Sequence, residues 1–408
     1  MVSSPRTVDE HRAVVAALLP PMPAEDVAIG RARGRVLAAD VVAAVALPSF
    51  DNSAMDGYAV RAADLAGATA SAPVELPVAA DIPAGRTDVP ALEPGTAHRI
   101  MTGAAVPPGA DAIVPVEQSD AGLERVRLSA EPAAGAHVRR AGEDVRAGDV
   151  VLSAGTVLGA PQIGVAAAVG CATVPVRRRP RVLVLSTGSE LVAPGTPLQP
   201  GQIYESNGPM LAAAVEDAGG RAELLRFVPD DVEQFLGRLR ERLADGPVDL
   251  LLTSGGVSAG AYEVVKDAFT GRGVEFVKVA MQPGGPQGAG RLTDPAGVGV
   301  VTLPGNPVSS HVSFEVFVRP ALRAALGHPH PERPVVTTTL GERWTSPQGR
   351  RQFRRGVLDA VRGTVRELGG PASHLLGSLA RAECLVVVPE GVTELDEGAS
   401  VETWLLEG

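Results

Sequence analysis

Between about residues 180 and 325, short apolar runs alternate with segments of helical spacing, and nothing else in this 408-residue chain limits its fold so strongly. The runs are VLVLS (182–186), RAELLRFV (221–228), DLLLTS (249–254) and VGVVTLPG (298–305). Helical patterns fall near 208–218, 231–243, 261–270 and 307–325. Strands that are apolar on both faces, each returned by a helix, predict a parallel sheet covered on both sides. Such a sheet binds ligands beyond the carboxyl ends of its strands, where the topology reverses.

The flanks read differently. Residues 6–20 predict a helix in which Thr7 caps, Glu10 completes a capping box and Pro20 ends the run. From about 35 to 140, and again after Pro334, short Val, Ala, Leu and Ile runs are broken by Pro and Gly turns. The chain's 47 glycines and 35 prolines suit several short-stranded β modules beside the α/β one. At this length two to four domains are expected rather than a single core.

Several classes of function are disfavoured by composition. The formal charge of -10 repels phosphate backbones, and aromatics at 3% leave little for base stacking, so nucleic acid is not an expected partner. A small anion is still admissible, because main-chain amides and helix N-termini bind it without net positive charge. No apolar run approaches the roughly 20 residues needed to span a bilayer. Asp9, Glu10, His11 and Arg12 interrupt any signal-like start, so the expected location is cytoplasmic and no membrane partner is expected. Cys171 and Cys384 lie far apart and outside any Cys-x-x-Cys pair, which points to packing rather than to a disulfide or zinc.

Three strand ends carry unusual loops. STGSE (186–190) offers the hydroxyls of Ser186 and Thr187, close backbone approach at Gly188 and the carboxylate of Glu190; it reads equally as a solvated turn. TSGGVSAG (253–260) contains Ser254, Gly255, Gly256 and Ser258, and reads either as an amide nest for an anion or as a structural tight turn. Its spacing matches neither a P-loop nor a dinucleotide fingerprint. In LPGNPVSS (303–310), Pro304 and Pro307 restrict the chain around Gly305 and Asn306, and Ser309 and Ser310 enter the first helical turn. That loop is either a phosphate-facing rim or a proline-stiffened helix start. All three should converge on one sheet edge. A fourth segment, FDNSAMDGYAV (50–60), either satisfies its own backbone through Asp51 and Asp56 or reaches across to another site.

These four segments occur in one order with HRIMTGAAVPPGADAIVPVE (98–117), RRAGEDV (139–145) and GQIYESN (201–207). Together they resemble the MoeA family, the molybdopterin molybdenumtransferases, which includes the E domain of gephyrin. The carboxyl-terminal region resembles it more weakly, through GRRQFRRG (349–356) and PASHLLGSLARAECLVVVPEG (371–391). The resemblance implies an elongated, multidomain homodimer of α/β and β-rich parts. Residues 21–46 with 141–176 would form a linker β domain, and 47–140 a β-rich arm that completes the partner subunit's site. Residues 1–20 with 177–328 would form the molybdopterin-binding α/β domain, and 329–408 a C-terminal β domain.

The implied reaction is hydrolysis of the phosphoanhydride in adenylyl-molybdopterin with release of AMP, while molybdate is delivered to the dithiolate. A divalent cation, Mg2+, would offset charge on the pyrophosphate oxygens. Carried over by position, Asp56, Asp144, Glu190 and Asp230 match acidic positions of the family's site, with Asp56, Glu190 and Asp230 as metal-holding groups. Ser254, Gly255, Gly256, Ser258, Pro304, Gly305, Asn306 and Pro307 match its pterin-phosphate loops. The upstream molybdopterin adenylyltransferase is a further expected partner. Two departures stand out. Glu263 replaces the usual aspartate after the GGVS loop, and in VKVAMQPGGPQGAG (277–290) Lys278 is kept while Gln282 and Gly285 replace lysines. A neutral amide attracts an oxyanion less than an ammonium does, so charge must come from Lys278, from Arg291 or from elsewhere. Weaker molybdate capture or a shifted binding mode follows, with a catalytically weakened pterin-binding scaffold as the alternative. GRRQFRRG reads as a basic pocket lip or, by preference, a solvated face.

Overall fold

The structure, a computed structural model, describes residues 4–188, 190–226, 231–255, 264–294 and 297–406. At its centre a six-stranded sheet runs in the order Arg221–Arg226, Arg181–Ser186, Leu250–Ser254, Gly299–Leu303, Pro286–Arg291, Val274–Lys278. The first four strands are parallel, as the apolar runs predict. Their side chains divide between two cores. Val184, Leu252 and Val301 pack on one face with Val8, Val15, Leu211, Phe314 and Phe317, while Leu183, Leu185, Leu251 and Val300 pack on the other with Phe235, Leu239 and Phe269. Each fully buried side chain of this size contributes about 1.5–3 kcal/mol.

The sheet is not wholly parallel. Pro286–Arg291 runs antiparallel to both Gly299–Leu303 and Val274–Lys278, so the 277–290 stretch, not counted among the strands in the sequence, is mostly strand. Its glycines disguised it. A β-carbon on Gly288 would lie 2.2 Å from Thr302 Oγ1, and one on Gly290 would lie 2.0 Å from the Gly273 carbonyl. Close strand approach, not turn chemistry, requires glycine there.

The N-terminal helix covers Val8–Ala16. Thr7 Oγ1 accepts from the Glu10 amide at 3.2 Å and Glu10 Oε2 accepts from the Thr7 amide at 2.9 Å, which is the expected capping box. The helix stops at Ala16, short of Pro20. Asp231 caps Val232–Ala244, and the last helix of this module runs from Pro307 to Ala325 through a π turn at Phe314–Val318.

Ahead of this module a five-stranded sheet, ordered Ala112–Pro115, Gly57–Val60, Ala97–Ile100, Val74–Ile82, Arg125–Leu128, encloses Tyr58, Val60, Leu65 and Val114. Two short pairings, Ala24–Ala28 with Thr173–Arg177 and Val41–Val42 with Val150–Leu152, build a separate small core. That core also holds the helix Ala160–Ala168, which the β reading of 141–176 missed; Pro161 suits its first turn.

From Val335 onward five strands close into a barrel, because Cys384–Val388 pairs with both Ser400–Leu405 and Arg351–Asp359, and Met281–Gln282 adds a sixth strand at its edge. Here the reading of GRRQFRRG as a solvated face is overturned. Arg354 and Arg355 are buried within the Arg351–Asp359 strand. Arg354 donates to Gln352 Oε1 and the Thr345 carbonyl and lies over the Trp344 ring; Arg355 donates to the carbonyls of Leu368, Gly370 and Ala372. Cys384 lies in the barrel core, where burial pushes its thiol up to about 12, and Cys171 is half-buried; both are free thiols. Among the described residues no helix is long and apolar enough to cross a membrane.

Candidate functional site

The three loops do meet. Ser186 stands opposite Ser254, and Ser254 opposite Leu303, so adjacent parallel strands end level with one another. From those ends the chain turns sharply. Gly255 adopts φ +95°, a conformation that favours glycine, and its amide donates to the Leu303 carbonyl at 3.1 Å. A β-carbon on Gly255 would lie 3.1 Å from the Thr187 carbonyl, and one on Gly305 would lie 3.4 Å from the α-carbon of Gly255. Backbone of all three loops is therefore in contact at one spot. The buried Ser254 hydroxyl lies 3.4 Å from the Pro304 carbonyl and receives a 3.3 Å bond from Ser310. Ser310 is fully buried and thereby committed inward, whereas Gly305 and Asn306 are exposed at the rim. Pro307 begins the following helix, and Ser309 is buried in its first turn.

A residue not singled out from sequence joins the loops. Asn207 Nδ2 donates to Ser254 Oγ at 2.8 Å and to the Gly305 carbonyl at 2.7 Å. It opens the helix Asn207–Asp217, and the only hint in the sequence was its place at the end of GQIYESN. The same string fixes Glu190, whose carbonyl accepts from the Ile203 amide at 2.9 Å. The Glu190 carboxylate is exposed and folds back over Gly188, where a β-carbon would lie 2.7 and 2.8 Å from its two oxygens. Among the described residues, two polar atoms here, Ser186 Oγ and Asn207 Oδ1, are buried without a hydrogen-bond partner. Buried groups of this kind are normally satisfied, and at a loop cluster their vacancy suits a ligand.

The lysine-poor segment reaches the same edge. Val274–Lys278 lies two antiparallel steps from Gly299–Leu303 and so points the same way, leaving Lys278 exposed at its carboxyl end. Gln282 follows, half-buried, its Oε1 without a partner among the described residues. Gln287 Nε2 donates to the Gly284 carbonyl at 2.7 Å and to Ser313 Oγ at 2.6 Å, which packs this turn onto the helix Pro307–Ser313. Arg291 is excluded as a substitute charge. It pairs with Gly299 at the opposite edge and donates to the carbonyls of Gly297 and Leu18. The C-terminal barrel adds Ser373, also missed: Asn306 Nδ2 donates to its hydroxyl at 3.1 Å and Val308 N to its carbonyl at 3.3 Å.

The aspartates ahead of this module stand apart from the loops within one chain. Asp56 Oδ1 accepts from the Thr102 amide at 2.6 Å and from its hydroxyl at 2.7 Å, and the amide bond chiefly holds this exposed carboxyl below its usual range. Asp51 accepts from the Ala141 amide at 2.8 Å and from Arg140 Nη1 at 2.6 Å, with the same downward effect, again led by the amide. Asp144 is exposed in a turn whose amide donates to Leu47. Among the described residues no hydrogen bond or ion pair links Asp51, Asp56 or Asp144 to the three loops. Asp230, Gly256, Ser258 and Glu263 lie outside the described residues.

A cleft of about 310 Å³ opens at the other edge of the sheet, between Arg181, Arg221, Glu223 and Arg242. Arg242 pairs with Glu223 there, and the cleft sits at strand starts, away from the converging loops.

Family models match the chain in three consecutive stretches. Residues 6–170 match the MoeA N-terminal region (domain I and II), 183–324 a probable molybdopterin binding domain, and 337–406 the MoeA C-terminal region (domain IV). Over 406 residues the chain is 56% identical to molybdopterin molybdenumtransferase 2 of Mycobacterium tuberculosis, covering 98% of this chain and 99% of that one. It is 33% identical over 390 residues to the molybdopterin molybdenumtransferase of Bacillus subtilis, covering 94% and 90%. A solved molybdopterin biosynthesis MoeA protein from Pyrococcus horikoshii superposes with a TM-score of 0.84 at 32% identity, over 99% of this chain and 100% of that one.

Proposed function

This chain belongs to the MoeA family of molybdenum cofactor biosynthesis, and from that membership and the geometry above we propose how it acts as a molybdopterin molybdenumtransferase. It is an enzyme that transfers molybdenum to molybdopterin. The scaffold alternative is not favoured, since the curated relatives carry transferase names. Its substrates are molybdate and an adenylylated molybdopterin. One bond of the P–O–P bridge breaks, water supplies the replacement P–O bond and AMP leaves; the two pterin thiols would bind molybdenum in place of one molybdate oxygen, which departs as water with their two protons.

The observation that carries this reading is the level meeting of three serine- and glycine-rich loops, with Ser186 Oγ and Asn207 Oδ1 buried and unpartnered among the described residues. Thr187, Gly188, Ser254, Gly255, Pro304, Gly305, Asn306, Pro307 and Ser309 form the floor and rim that would receive the pterin phosphate through main-chain amides and hydroxyls. Lys278 and Gln282 follow at the same end of the sheet and would hold molybdate, one by charge and one by hydrogen bonding. Mg2+, when bound, would neutralise pyrophosphate oxygens; a cation of this kind takes one or two carboxylates and completes its shell with water and phosphate. The exposed, inturned carboxylate of Glu190 fits that demand, with Asp230 and Asp56 as the further ligands. Asp56, held ionised by Thr102, would arrive with Asp51 and Asp144 from the arm of a second copy in a cytoplasmic homodimer.

The test is direct. Purified chain given adenylylated molybdopterin, magnesium and molybdate should release AMP and yield molybdenum-loaded cofactor. A folded protein that releases no AMP under these conditions overturns the reading.

A further inference from the structure

Lys278 ends its strand at the same end of the sheet as the three loops, yet most main-chain bonds of residues 278–282 are made to segments distant in sequence. Arg6 N donates to the Lys278 carbonyl at 2.9 Å, and the Arg6 carbonyl accepts from Ala280 N at 2.8 Å. On the next residues, Arg351 N donates to the Ala280 carbonyl at 2.9 Å, and Met281–Gln282 pairs in parallel with Arg351 and Gln352. This short strand therefore lies between the N-terminal segment and the barrel, and serves as an edge strand of the latter.

One side chain ties the two flanking segments to each other. Arg351 donates from Nη1 to Asp9 Oδ1 at 2.9 Å and from Nη2 to Asp9 Oδ2 at 3.0 Å, while its Nε reaches Glu390 Oε1 at 3.0 Å. Asp9 stands three residues after Arg6, in the first turn of Val8–Ala16. The pair thus joins the residue that pairs with Met281 to the helix whose lead-in pairs with Lys278. Two parallel bonds fix direction as well as distance, which a single ammonium contact does not.

We propose that the Asp9–Arg351 fork sets the position of the Lys278–Gln282 strand relative to the three loops, making both positioning residues for oxyanion binding. The proposal rests on the reading of Lys278 and Gln282 as oxyanion-binding groups. The fork is poorly suited to a purely structural task. Asp9 is two-thirds exposed, and ion pairs open to solvent contribute little to stability. The helix is already anchored by buried Val8, His11 and Val15 and by Arg12, which donates to the Val316 carbonyl at 3.2 Å. A small displacement of binding groups costs function far more than it costs folding.

The experiment compares Asp9→Ala, Asp9→Asn and Arg351→Lys in the full chain with the parent. Asp9→Ala and Asp9→Asn should raise KM for molybdate about fivefold or more, while kcat for AMP release stays within about twofold and the melting temperature is unchanged. Arg351→Lys, which keeps charge without the fork, should fall between. Hydrogen exchange should quicken at the amides of Ala280 and Arg351 and stay unaltered at Leu183 and Leu251. Unchanged KM with unchanged exchange at those two amides overturns the proposal. So does a parallel fall in kcat with faster exchange throughout the chain, which marks a structural role. If the parent itself releases no AMP, the functional reading fails, and the exchange data alone still decide whether the fork holds this strand.

Discussion

Gly305 and Gly255 stand so close that a β-carbon on the first would lie 3.4 Å from the α-carbon of the second. The contact seals the floor of the candidate site, and the two glycines should answer substitution differently. Gly255 has φ +95°, and its added methyl would also press on the Thr187 carbonyl. Gly255→Ala should cost about 1–3 kcal/mol in denaturant unfolding and lower AMP release at least about tenfold. Gly305→Ala meets only an ordinary contact, so its stability should stay within about 0.5 kcal/mol of the parent.

Asn207 binds the loops on either side of it with one nitrogen. Asn207→Ala removes the donor to Ser254 Oγ and to the Gly305 carbonyl, and should lower stability by about 1–2 kcal/mol in thermal melts. Asn207→Asp is the sharper test. It sets a carboxylate beside the loops proposed to receive the pterin phosphate, so affinity for adenylylated molybdopterin measured by calorimetry should fall about tenfold or more, beyond any change in melting temperature.

Much of this was legible in the chain itself. The runs at 182–186, 249–254 and 298–305 announced buried parallel strands because no charged residue interrupts their apolar cores, and a parallel sheet dictates which strand ends can hold a ligand. Thr7 and Glu10 announced their capping box because that motif is entirely local. What stayed hidden depended on distant partners. Gly288 and Gly290 look like loop residues until Thr302 and Gly273 are seen to occupy the space of their side chains. Arg354 and Arg355 look solvated until their carbonyl acceptors are placed around them. Asn207 and Ser373 each act through a bond to another loop, and no periodicity encodes such a bond.

Arg355 offers a test of that buried charge. Its guanidinium serves the carbonyls of Leu368 at 3.4 Å, Gly370 at 2.5 Å and Ala372 at 3.0 Å. Arg355→Met keeps bulk and strips every donor, so unfolding should be easier by about 2–4 kcal/mol. Because Ala372 precedes Ser373, the bond from Asn306 should loosen too. Activity should therefore drop even at temperatures where the variant remains fully folded by circular dichroism.

Acid should weaken the fold before carboxylates titrate. His11 is wholly buried edge-on against Phe317, ring centroids 4.8 Å apart, and burial, aided by Arg6, lowers its pKa from 6.5 to about 4. Burial and then Arg323 lower His328 similarly, to about 4, although that ring is partly exposed. In both cases the folded value lies below the unfolded one. As pH falls below about 6.5 the unfolded chain takes up protons that the folded chain refuses, so stability is lost until about pH 4 and the loss then levels off. His11→Leu should remove up to about 3 kcal/mol of that pH dependence in urea titrations at pH 7, 6, 5 and 4.5. A slope equal to the parent's would show that His11 titrates alike in both states.

Asp56 poses the question of where the arm acts. Its carboxylate is held by Thr102 within its own sheet, while Glu190 stands at the loops of the α/β module. If the arm of one subunit closes over the loops of the other, Asp56→Ala and Glu190→Ala damage different halves of the same site. Each variant alone should then lose nearly all AMP release. Mixed at equal amounts and allowed to exchange, half of the dimers would be heterodimers with one intact site of two, restoring about a quarter of parental activity. Verified heterodimers without rescue would place Asp56 and Glu190 in the same chain's site, or place Asp56 in none.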